Sequence, residues 1–103
     1  MNLTSYVRGE NEIEALYDSM KCFCSYAVNE LQKHPETKPD VVKLIRYFAA
    51  AGISLAKAKA DEGLCGEAQV CITDVAELAR TADVDIPDIE KYAEGNVCKL
   101  ARS

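Results

Sequence analysis

The sequence predicts an all-α fold, an antiparallel four-helix bundle with two long and two shorter helices. Three observations predict it. Apolar residues recur at steps of three and four along most of the chain, the repeat of one helical face. No stretch of four or more residues alternates in strand fashion between turn signals. Proline and glycine cluster at short breaks, His34-Pro35, Gly63 to Gly66 and Asp85-Ile86-Pro87, and these divide the chain into four segments.

The first ten residues, with Gly9 near their end, read as an irregular arm. Asn11 then suits an N-cap, and Glu12 and Glu14 suit the first turn, where free N–H groups favour oxygen and negative charge. The first helix carries its apolar face at Ile13, Leu16, Tyr17, Met20, Phe23, Cys24, Ala27 and Leu31. His34-Pro35 stops it near Lys33, because a residue before proline avoids the α region. Thr37-Lys38-Pro39 starts the second helix, with Pro39 in the first turn. Its stripe runs Val41, Leu44, Ile45, Phe48, Ala51 or Gly52, Leu55 and Ala58, and Gly63 suits its C-terminal cap. Leu64-Cys65-Gly66 is a turn. The third helix turns Ala68, Cys71, Ile72, Val75, Leu78, Ala79 and Ala82 inward and ends near Asp83. The fourth begins at Pro87 and shows Ile89, Tyr92 or Ala93, Val97 and Leu100 or Ala101. Gly95-Asn96 in its middle is a point to end or kink it.

One domain, residues 1–103, is the expectation at this length. At 49% hydrophobic and 28% charged the composition is that of a globular chain. No apolar run approaches the roughly 18 residues of a membrane span, and the first ten residues lack the apolar core of a secretory leader. A cytoplasmic protein that touches no membrane is therefore expected. A net charge of −5 argues against nucleic acid as a partner, because that role needs a basic face. The charge is uneven, −8 over residues 61–94 against +1 over residues 1–60. An acidic half suits a protein partner with a basic surface, or simply a solvated face.

The five cysteines are an odd number, with no CxxC motif and no cysteine beside His34. Reduced thiols packed as small hydrophobes are expected. Cys22 and Cys24 point about 200° apart on a regular helix and do not grip one ion. Cys24, Cys71 and Cys98 lie on three core-facing stripes, so a thiol- or metal-handling site follows if those helices meet at one level. No phosphate-binding glycine loop is present. Cys65 precedes a helix but sits between Glu62 and Glu67, which raise rather than lower a thiol pKa. Glu67, Asp74 and Glu77 are spaced to share one face of the third helix. They suit either Mg²⁺ completed by a substrate phosphate or the solvent side of an amphipathic helix. Asp83, Asp85 and Asp88 gather at the next turn, where capping accounts for Asp85.

The stretch from Ala49-Ala50-Ala51-Gly52 through Asp74-Val75-Ala76, then Ala82 to Ile86 and Lys91, resembles the layout of MazG-like nucleotide pyrophosphohydrolases. The resemblance implies a small helical dimer that splits nucleoside triphosphates with Mg²⁺ held by helix-borne acids. The sequence departs from that pattern where the metal would sit. The E-x-x-E motif would fall on Ala-Ala-Ala-Gly-Ile-Ser, and the E-x-x-D motif on Cys71 and Asp74, so only Asp74 matches. Without opposing carboxylates the ion lacks its cage.

The sequence thus points first to a non-catalytic interaction or regulatory module with no cofactor and no catalytic residues. A divergent nucleotide binder using Mg²⁺ comes second, and a thiol or metal bundle third. Helices of unequal length leave the long pair partly uncovered, so a homodimer is expected. Ala49, Gly52, Ala56 and Ala60, a thin side that admits close approach, and the off-stripe Tyr26 and Tyr47 are its candidate interface.

Overall fold

The computed structural model describes the backbone of residues 2–95 and 97–101, and the side chains of residues 12–95 and 97–99. Five helices follow in order: α1 (Asn2–Leu31), α2 (Lys38–Asp61), α3 (Cys65–Thr81), α4 (Pro87–Glu94) and α5 (Val97–Ala101). A 3-10 turn, Pro35–Thr37, links α1 to α2. The described residues form no strand. The fourth predicted helix is two: α4 ends at Gly95, whose backbone is extended, and α5 begins two residues later. Asn96, the other residue of that predicted break, lies outside the described residues.

The N-terminus corrects the sequence reading. Residues 2–10 are helical and continuous with α1, so the expected irregular arm is absent and Asn11 is not a cap. The physical reason is quantitative. A single interior glycine such as Gly9 costs about 1 kcal/mol relative to alanine, and no proline interrupts the segment to end the helix outright.

Short links force the long helices to run antiparallel. Six residues join α1 to α2 and three join α2 to α3. Contacts along α2 and α3 confirm the register. Lys59 meets Glu67 at one end, Gly52 faces Val75 in the middle, and the Lys38 ammonium donates to the Ala82 carbonyl at the other end. Helix α2 is central. It packs along both α1 and α3, which touch each other only sparsely, while α4 lies on α3 and α5 on α2 and α3.

All three long helices meet at Gly52. A Cβ there would lie 2.8 Å from Val75 Cγ2 and 3.4 Å from Tyr17 Cε1. The Tyr17 ring stacks at a tilt on Phe48, centroids 5.0 Å apart. Around this node Val41, Ile45, Phe48, Leu55, Ile72, Val75 and Ile89 are fully buried. The predicted stripes of α2 and α3 therefore supply most of the core, with Leu44, Ala58 and Leu78 only partly buried. The stripe of α1 is only partly so. Tyr17 and Cys24 are buried, but Leu16 and Phe23, expected inward, are exposed.

Both long α-helical ends at α2 and α3 close the same way. The N–H of Leu64 bonds the carbonyl of Lys59 and that of Gly63 the carbonyl of Ala60. The N–H of Val84 bonds Ala79 and that of Asp83 bonds Arg80. This paired pattern needs a left-handed residue after the cap. Gly63 (φ 83°) supplies it after α2 as predicted, and Asp83 (φ 57°) supplies it after α3.

Candidate functional site

The widest departure from a closed core lies along α1 and α2, on the side away from α3. Leu16 is 53% exposed, Phe23 67%, Tyr26 67% and Tyr47 66%. Their placement follows from helical geometry. Leu16 and Phe23 are seven residues apart and share one line of α1, beside the Ile13–Met20 line that half-enters the core. The apolar stripe of α1 is thus wider than the surface α2 and α3 have to cover it. Ile13, Leu16 and Met20 of α1 form a groove of about 510 Å³ with Tyr47, Ala50, Ala51 and Ser54 of α2. A separate hollow of about 450 Å³ lies on α1 alone, among Ser19, Cys22, Phe23 and Tyr26. Among the described residues no charged side chain lines either hollow. Tyr26 and Tyr47 stand exposed here as expected, and the Tyr26 hydroxyl donates to Glu30 one turn on, at 3.3 Å.

The other expected interface residues lie elsewhere. Ala49, Gly52, Ala56 and Ala60 are buried inside the chain and present nothing to a second copy. The thin side of α2 exists, but it admits Tyr17 and Val75 of the same molecule. Helical spacing identified a close-approach face without saying which neighbour takes it. Leu16 and Phe23, which do lie on the open face, were hidden by the same periodicity, because three-four spacing counts them with the core.

The carboxylates Glu67, Asp74 and Glu77 divide between two places. Glu67 pairs with Lys59 at 3.2 Å, beside Glu14, Tyr17, Asp18 and Cys71 in a hollow of about 210 Å³. Lys59 is the buried charge among the described side chains, and its hydrogen bond to Glu67 raises its pKa against the opposing effect of burial. Asp74 accepts from the Lys21 ammonium at 3.0 Å and from the Tyr17 hydroxyl at 3.2 Å. The same hydroxyl is 3.2 Å from the Cys71 carbonyl. Burial, then the charges of Cys71 and Asp74, push the Tyr17 phenol well above its ordinary range. The hydrogen bond to Asp74 raises Lys21. Asp74 and Glu77 line a cleft of about 260 Å³ between α1 and α3 with Lys21, Ser25, Asn29 and Thr81. The two acids face a concavity, but Glu67 is not with them. Among the described residues no three His, Cys, Asp or Glu side chains converge as a metal site would require.

The cysteines also require a correction. Cys65 and Cys98 form a disulfide, Cα atoms 5.6 Å apart, where reduced thiols were expected. Cys98 therefore does not join Cys24 and Cys71 as a third thiol. The two cysteines are 33 residues apart in sequence, and α3 with the turn back through α4 brings them together, which no local spacing signals. Cys22 is exposed, and Cys24 and Cys71 are buried. Burial pushes the Cys24 thiol up to about 11 and raises Cys71 as well. Neither is an activated nucleophile, which needs a lowered pKa.

No helix of the described residues is long and apolar enough to cross a membrane. No family model matches the chain, and no curated protein or solved structure matches it at a significant level.

Proposed function

We propose that the chain is a non-catalytic helical interaction module whose α1–α2 face pairs with a second copy of itself. The observation that carries this reading is a pair of exposed apolar hollows on one flank of the molecule, one where Ile13, Leu16 and Met20 face Tyr47 and one at Phe23 and Tyr26, neither lined by a charge among the described residues. Contiguous apolar patches rimmed by polar residues mark association surfaces, and aromatic side chains are enriched there. Length argues for the occupant. At 1.5 Å per residue, α1 spans about 45 Å and α3 about 26 Å, so α3 does not cover the long pair. The α1–α2 pair of another copy is a surface of matching length and matching lack of charge. Two such pairs, face to face, complete a bundle of four long helices. A peptide with charged anchors finds no counter-charge in these hollows.

Sedimentation across a concentration series tests the reading. The wild-type chain is expected to dimerise, and a Leu16→Ser/Phe23→Ser variant to run as a monomer with unchanged helicity. Val70→Ser, which removes an exposed apolar residue from α3, serves as the control and is expected to remain dimeric. A wild-type chain that stays monomeric at every concentration removes the proposal.

A divergent nucleotide binder is a second reading, and one observation favours it: Asp74 and Glu77 line a cleft rather than a convex surface. Mg²⁺ between those acids and a triphosphate would displace Lys21 from Asp74. A thermal-shift series with nucleoside triphosphates, with and without Mg²⁺, tests it, since a ligand of the folded state raises apparent stability by mass action. A shift that needs both components and disappears in Asp74→Ala supports this reading. No shift discards it.

A further inference from the structure

We propose that the Cys65–Cys98 disulfide is a redox latch whose reduction releases α5 from the α2–α3 surface, while α4 stays seated on α3 through the buried Ile89. The case begins with α5, five residues long. A helix that short has no stability of its own, since nucleation costs more than so few hydrogen bonds return. Its hold on the molecule is local. Val97 is buried, Cys98 is bonded to the first residue of α3, and the side chain of Gln69 bridges the two terminal helices. Gln69 accepts from the Val97 N–H and donates to the Tyr92 carbonyl, each at 3.2 Å. The covalent tie is the one contact among these whose making and breaking is under chemical control.

The two sulfurs differ in access. Cys65 is half-buried, while Cys98 is 8% exposed. A dithiol reductant therefore attacks Sγ of Cys65. The S–S bond breaks, and Cys98 leaves as a thiolate that takes up a proton. The second thiol of the reductant displaces Cys65, which also leaves as a thiolate and is protonated, and the reductant closes into its own disulfide. Two electrons and two protons pass to the protein. In a reducing compartment such a bond is transient and sensing, and in an oxidising one it is permanent. What reduction uncovers is the apolar surface of α2 and α3 beneath α5, on which Val97 rests.

Hydrogen exchange on the full chain, with and without dithiothreitol, tests the latch. On reduction the amides of residues 97–101 are expected to lose protection by about tenfold or more, while those of α1 and α2 keep theirs. Reoxidation is expected to restore it, and Cys65→Ser to behave as the reduced protein in the absence of dithiol. Unchanged protection over residues 97–101 would overturn the proposal. So would a loss spread over all helices, which would make the bond a requirement of the fold. Thiol titration of the denatured, unreduced chain adds a further check. Three reactive thiols are expected from the free Cys22, Cys24 and Cys71, and five would overturn the latch outright.

Discussion

At the scale of single residues, Gly52 decides how closely the three long helices approach. Gly52→Ala places a Cβ 2.8 Å from Val75 Cγ2, a core atom with nowhere to move. Overpacking costs about 1–3 kcal/mol, while the gain in helix propensity returns about 1 kcal/mol. A net loss of up to about 2 kcal/mol is expected, read as a lower urea midpoint at unchanged slope. Gly66→Ala, where an added Cβ meets nothing within 4 Å, is the matched control and should leave the midpoint unchanged or slightly raised. Tyr17 adds a pH-dependent term at the same node. Its unfolded phenol ionises near 10, and burial beside Asp74 raises it in the fold. The raised group contributes stability that is fully present below about pH 10 and is lost as the pH rises above it. Difference titration of the wild type against Tyr17→Phe by phenolate absorbance should show no Tyr17 phenolate near pH 10 in the folded chain, and Tyr17→Phe should flatten the alkaline limb of stability against pH. A Tyr17 phenolate that forms near pH 10 in the folded chain would contradict this account.

At the scale of elements, the two helix ends with left-handed residues differ only in what occupies that position. Gly63 adopts φ 83° at no steric cost, and Asp83 holds φ 57° with a Cβ. Asp83→Gly is therefore expected to stabilise the chain by up to about 1 kcal/mol, and Gly63→Ala to destabilise it by about the same amount. Thermal midpoints of the two variants moving in opposite directions would bear this out; the same direction for both would refute it. These ends also show what a sequence carries. Gly63 was readable as a cap because glycine there has few other uses. Asp83 was not, because an aspartate among Asp85 and Asp88 reads equally well as charge. The break near Gly95 was readable for the same reason as Gly63. The start of α1 was not, because Gly9 looks like punctuation and its cost is small enough for one long helix to absorb. The candidate interface was half readable. Tyr26 and Tyr47 fell off the periodic stripe and stood out, whereas Leu16 and Phe23 fell on it. Periodicity locates an apolar face but not its width relative to the neighbours that cover it.

At the scale of the whole molecule, shape and charge bear on association together. The Cα radius of gyration is 14.4 Å, with extents of 44 × 35 × 16 Å. A compact chain of this length has a radius near 13 Å, so the molecule is flattened, and its broad sides are where an apolar face is hardest to cover. Each copy carries a net charge of −5, while the hollows at Ile13–Tyr47 and Phe23–Tyr26 have no charged lining among the described residues. Two opposed contributions follow. Apolar burial favours pairing and is indifferent to moderate salt, whereas like net charges oppose it over a distance set by screening. The Debye length falls from about 30 Å at 0.01 M to about 8 Å at 0.15 M, so most of the repulsion between copies disappears over that range. Under the proposed pairing, the dissociation constant is therefore expected to tighten several-fold from low to physiological salt. Sedimentation equilibrium at the two ionic strengths measures it directly. Weakening with salt would mean that charged contacts, such as the acids of residues 61–94 meeting Lys43, Arg46 or Lys57 of another copy, carry the association. The apolar hollows would then not be its basis. Tightening in the wild type, together with no association at either salt in Leu16→Ser/Phe23→Ser, would place the attraction on the uncharged face.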